Sequence, residues 1–161
     1  KSKRDLAPEN YVQCGSDVIA FKDGKPWISN KNPIRNNFFG VQYNTKITMV
    51  FNQLPSLMKV WNALWLRGYQ DNKAIGWFSN VVKNMYGQLS RLKAVNWDKR
   101  ENAFYTDFKK DLTDTTVTNP ILNGRDLRSE AIQVELENDY SGEVVLYSVS
   151  ANHSLSARTT K

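Results

Sequence analysis

Val18-Ile-Ala-Phe-Lys-Asp-Gly-Lys-Pro-Trp27 is followed by Asn32-Pro-Ile-Arg-Asn-Asn-Phe-Phe-Gly40 and then by Lys46-Ile-Thr-Met-Val-Phe-Asn-Gln-Leu-Pro-Ser-Leu-Met-Lys-Val-Trp61. The first segment predicts a hairpin over 18–29. Two-residue hairpin turns need positive φ, which Asp23-Gly24 supplies at little cost. Val18, Ala20 and Trp27 are expected on one side of it. The second segment predicts a loop over 30–40, where Pro33 fixes its own φ and Gly40 permits a turn that other residues resist. In the third, Ile47, Met49 and Phe51 alternate with Thr48 and Val50, as on a strand. Pro55-Ser56 then opens a short helix to about Asn62, because proline is tolerated in a first helical turn. Leu57, Val60, Trp61 and Leu64 fall at helical spacing, and 63–67 reads as a strand; a helix across 56–67 is the alternative. Nothing in this stretch has the chemistry of a catalyst. It reads as scaffold.

The totals fit that reading. The chain has 161 residues, 40% hydrophobic and 24% charged, enough for one core-bearing domain. Aromatic residues reach 12%, and they favour strands and interfaces. Mostly β, antiparallel structure follows, as a sandwich or as propeller-like sheets with one short helix. The formal charge of +6 invites a nucleic-acid partner, but the cations are dispersed. Lys1, Lys3 and Arg4 sit on a terminus, while Lys99-Arg100 and Lys109-Lys110 are flanked by Asp98, Glu101, Asp107 and Asp111. A basic surface near DNA or near other subunits fits better than base readout.

Residues 1–16 read as a flexible arm or linker, 17–152 as a β-rich domain and 153–161 as a polar C-terminal tail. The chain begins at Lys1 rather than at methionine, which reads as one piece of a longer polypeptide. Ile75–Phe78 and Gln88–Leu92 are plausible strands with a loop between them. Residues 103–108 form a strand with Phe104, Thr106 and Phe108 on one face, and 111–124 is turn-rich. Ile132, Val134 and Leu136 alternate with Gln133, Glu135 and Glu137, the mark of a half-solvated antiparallel strand. Asn138–Gly142 then turns the chain into a closing hairpin, with Val145, Tyr147 and Val149 facing the core.

The reactive residue types are sparse. Cys14 is the one cysteine and His153 the one histidine. No metal site, cofactor or catalytic residue is expected, and His153 reads as a solvated tail residue. Glu101, Asp107 and Asp111 each stand beside Lys or Arg, as on a solvated face rather than as an acid/base pair. Trp27, Trp61, Trp65, Trp77 and Trp97 could stack on sugars, so a carbohydrate-binding β-sandwich module is the alternative function; four of the five lie in apolar or strand-like segments, where packing is the usual fate.

The order Lys22-Asp-Gly-Lys-x-Trp27, Asn32-Pro-x-Arg-Asn-Asn-Phe-Phe-Gly40 and Phe51-Asn-x-x-Pro-Ser-x-x-Lys-Val-Trp61 resembles the C-terminal part of the muzzle (nozzle, stabilisation) protein of crAss-like and related short-tailed phages. The likeness continues through Asp98–Phe108 and the Asn119–Ser129 turn, and covers about Val18 to Ala151. Leu66-Arg67-Gly68 stands where the family has a Glu-Gly pair, and Asn102 where glycine is usual.

The resemblance implies a non-enzymatic structural protein of the virion tail, assembled in the bacterial host cytoplasm. It implies copies in a ring below the portal, closing or lining the DNA exit channel. The implied partners are other copies, the portal, ring or other tail proteins and, non-specifically, genomic DNA, with no membrane. Trp27, Phe38, Phe39, Trp61 and Tyr69 are the candidate subunit-interface residues, combining aromatic area with loop or turn placement. Arg35, Arg125 and Arg128 are candidates for phosphate contacts or for ion pairs between subunits.

Overall fold

The computed structural model describes residues 7–70, 76–93, 97–101 and 103–156. It is built almost wholly of antiparallel strands. β1 (Asn10–Cys14), β2 (Asp17–Lys22) and β3 (Lys25–Ile28) form a three-stranded meander. Asp23 and Gly24 take φ of 52° and 69°, the paired positive values that a type I′ turn requires. Ala20 lies opposite Trp27 and is buried, whereas Val18 is exposed. The stretch read as an arm thus contains β1, paired along its length with β2.

The expected loop at 30–40 holds a second, smaller hairpin. β4 (Asn37–Phe38) and β5 (Val41–Gln42) pair around Phe39 and Gly40, whose φ values are 53° and 78°. A phenylalanine in the left-handed region is strained, and Phe39 is packed edge-on against Trp27.

Two larger sheets enclose the core. One has the order β6 (Thr45–Phe51), β13 (Ile132–Asn138), β8 (Phe78–Asn84), β9 (Leu89–Leu92). The other centres on β7 (Lys59–Gln70). It carries β11 (Ala103–Asp107) and β12 (Arg128–Ser129) along one edge, β10 (Asp98–Arg100) beyond β11, and β14 (Val144–Leu155) on the other edge. Trp61, Leu64 and Leu66 of β7 join Phe51, Val82, Leu92, Ile132, Val134 and Leu136 of the facing sheet in one buried cluster. The architecture is a sandwich, not a propeller. Among the described residues the single short helix, α1 (Pro120–Asn123), lies in the turn-rich segment.

Four further expectations need correction. No helix forms at 55–62. Leu57 donates its N–H to the Leu54 carbonyl in a tight turn, and β7 then runs unbroken for 12 residues. Across the ladder Asn152 faces Ala63 and His153 faces Trp61, leaving Asn62 as a bulge. A bulge reverses the alternation, so Trp61 and Leu64 share a face at a spacing of three and mimic a helical stripe.

Second, the segment expected as a loop after Phe78 is strand β8, while Ile75 lies outside the described residues. Its Asn84 builds the following turn: Oδ1 accepts from the N–H groups of Tyr86 and Gln88, and Nδ2 donates to Gln88 Oε1 and the Arg128 carbonyl.

Third, the closing hairpin does not exist. β13 already has β6 and β8 on its two edges, so β14 crosses to the free edge of β7. Tyr147 is bulged out of that ladder. Val144 and Leu146 therefore pack on the core before it, Val149 and Ala151 after it, and Tyr147 is exposed.

Fourth, β14 continues to Leu155, so His153 is not a solvated tail residue; its ring packs at 5.2 Å against Trp61, tilted by 55°. Other expectations hold. β13 buries every second residue, and Phe104, Thr106 and Phe108 face inward.

Candidate functional site

The candidate interface residues separate into three places. Trp27, Phe38, Phe39 and Arg35 gather on the meander and the small hairpin. Trp27 meets Phe39 at 6.0 Å and 78°, an edge-to-face pair, and Phe38 leans on Tyr43 at 6.2 Å. Such pairs are favoured by the ring quadrupoles. Gly40 lets the indole approach: a β-carbon there would lie 3.0 Å from Trp27 Cη2. Phe38 is half-exposed. Arg35 donates its backbone N–H to the Ser141 carbonyl, tying this hairpin to the turn after β13, and its side chain reaches solvent.

Trp61 is elsewhere, at 2% exposure in the core. Its indole N–H donates to the Ser129 carbonyl and hydroxyl at 3.2 and 3.1 Å, linking β7 to β12. The residue beside it in the motif, Lys59, escaped sequence reasoning. Its side chain is fully buried, and Nζ donates to the carbonyls of Gln53, Leu54 and Leu57. Burial pushes this ammonium down from the usual lysine range. The ammonium closes the loop around Pro55 from within. A lysine amid apolar strand residues is the signal that could have revealed it.

Arg125 and Arg128 lie on the 111–128 segment with local partners. Arg125 Nε sits 3.3 Å from Asp114, and Arg128 bonds Ser156 and approaches Asp126, which also pairs with Lys110. Asp114 and Asp111 each start a turn by accepting from the residue two positions on, Thr116 and Thr113. The Thr116 hydroxyl and N–H hold Asp114 below the usual carboxylate range. For Asp111 burial pushes upward, but the donors from Thr113, Leu89 and Gln88 together outweigh it and hold the carboxyl low. These carboxylates hold the turns of the arginine-bearing segment by hydrogen bonds, Asp114 also accepting from the Arg125 N–H.

Tyr69 stands alone of the candidates on the outer face of the β7 sheet, half-exposed. That face holds a group the sequence did not disclose. Trp65 lies opposite Tyr105 on β11 and opposite Ser150 on β14, and Arg67 lies opposite Ser148. The Trp65 and Tyr105 rings are 5.5 Å apart, and the Arg100 guanidinium rests 4.4 Å from the Tyr105 ring centre. Two clefts, of about 470 Å³ and about 340 Å³, are both lined by Trp65 and Ser150. The bulge at Asn62, invisible in the sequence, decides that Trp65 faces out.

Among the described residues, no helix is long and apolar enough to cross a membrane. No curated protein matches the chain. A family model described as the crassvirus muzzle protein C-terminal domain matches residues 33–141, from the small aromatic hairpin to the turn after β13.

Proposed function

The chain belongs to the crassvirus muzzle protein C-terminal domain family, and from that premise we propose that this phage structural protein is a tail component seated below the portal. In this reading, copies of the chain assemble as a ring with portal, ring or other tail proteins, closing or lining the DNA exit channel, with no catalytic step of its own. The family match over 33–141 carries the reading. It is supported by what the motif residues do. Lys59 and Trp61 lock a loop and a strand junction, and Gly40 seats Trp27 against Phe39.

The exposed aromatics Phe38 and Tyr69 and the solvent-reaching Arg35 are the contacts proposed between subunits. Trp27 and Phe39 hold that surface in shape from beneath. Arg125 and Arg128 offer guanidinium edges beyond their internal partners, suited to a neighbouring acidic surface or to passing phosphate.

Intact-mass spectrometry and electron microscopy of purified virions test this. The chain, or the polypeptide containing it, should be present in multiple copies in symmetric density on the tail. Its absence from virions would overturn the reading.

A further inference from the structure

We infer that the outer face of the β7 sheet is a binding site for an acidic saccharide, with Trp65 as its floor. The cleft beside Trp65 is lined by Arg67, Arg100, Glu101, Ser148 and Ser150, and a second, which shares Trp65 and Ser150 with it, reaches Asn152. The larger, about 470 Å³, falls within the roughly 300–1,000 Å³ of small-ligand clefts.

The lining selects the ligand. Protein interface cores are apolar and depleted of charge. Here an indole packed against Tyr105 is bordered by guanidinium, carboxylate, hydroxyl and amide groups. A pyranose has the complementary form, a C–H face that lies on an indole and a perimeter of hydroxyls for planar polar side chains. Two subsites sharing one indole suit consecutive sugar rings.

The charge selects further. Arg67 and Arg100 have no carboxylate partner among the described residues. With Glu101 as the one acid lining that cleft, the cleft keeps one net positive charge, which a sugar carboxylate satisfies. Nucleic acid fits less well. Arg100 already covers the Tyr105 ring on which a base would stack. This site is independent of the tail reading.

The test is a heteronuclear NMR titration of the chain following the tryptophan indole N–H signals, with Trp65 assigned from Trp65→Phe. The probes are hexagalacturonate, neutral cellohexaose, hexaglutamate and a thymidine hexanucleotide. Hexagalacturonate should move the Trp65 indole and leave Trp61 and Trp77 still. Cellohexaose should bind about tenfold more weakly, and Arg67→Gln, at an exposed position, should cost hexagalacturonate about tenfold with an unchanged melting temperature. A silent Trp65 indole up to about 10 mM hexagalacturonate would overturn the proposal. So would an equal response to hexaglutamate or to the nucleotide.

Discussion

The ammonium of Lys59 lies 5.5 Å from the centre of the Trp61 ring while it holds three loop carbonyls, those of Gln53, Leu54 and Leu57. One buried cation thus joins a surface loop to the core. Lys59→Met keeps the stem but removes the donor, stranding those carbonyls. The expected loss is about 2–3 kcal/mol of stability, read as a lower urea midpoint with an unchanged m-value. An unchanged midpoint would show that water serves the loop equally well.

Trp61 and Phe38 should part company on mutation. Trp61→Ala empties a core position and removes the indole donor to Ser129, for a loss of about 3–5 kcal/mol. Phe38→Ser removes a half-exposed ring and should change stability by only about 0.5 kcal/mol, while weakening assembly. Calorimetry and analytical ultracentrifugation of both variants separate the two roles.

Gly40→Ala combines two penalties, a β-carbon 3.0 Å from Trp27 Cη2 and a φ of 78°. A loss of about 1–2 kcal/mol is expected, with a shift in tryptophan fluorescence as the Trp27–Phe39 pair opens. Gly15→Ala, also at positive φ but with open space around it, should leave the fluorescence unchanged.

Asp111 and Asp114 set an acid limit. Both carboxyls are held below their unfolded value of 3.8, so the unfolded chain binds protons first as the pH falls. Their contribution is full above that value and is lost as the pH falls through it toward the lower folded values. Chemical denaturation between pH 6 and about pH 2 should show stability falling below about pH 4. Asp111→Asn should flatten that fall and cost about 2 kcal/mol at neutral pH. A parallel profile would remove Asp111 from the acid response.

Much of this fold was legible in the sequence because period and turn chemistry are local. The alternation in β13 and the Asp23-Gly24 turn needed no tertiary context. The two bulges were illegible for the opposite reason. Asn62 and Tyr147 differ from their neighbours only in how the partner strand pairs with them. Each bulge reversed a face, producing a false helical stripe before Leu64 and a false inward position for Tyr147. The route of β14 was hidden likewise, since the occupancy of both edges of β13 is a property of the assembled sheet. Among site residues, chain order found the aromatic hairpin. Trp65, Tyr105 and Arg100 meet only through strand pairing, and Lys59 lay in a segment read as a short helix, where a lysine is ordinary.

β14 joins β7 from the far end of the chain, with Leu155 meeting Lys59 and Val144 meeting Gln70. A ribosome making this chain releases β7 long before the strand that closes its edge. Until then β7 exposes a row of unpaired backbone groups, the form of edge that neighbouring chains can seize. Where many copies are made side by side, the last strand therefore acts as a timer. It decides when each copy stops being adhesive along this edge, and thus whether subunits meet through finished surfaces or through a stolen strand.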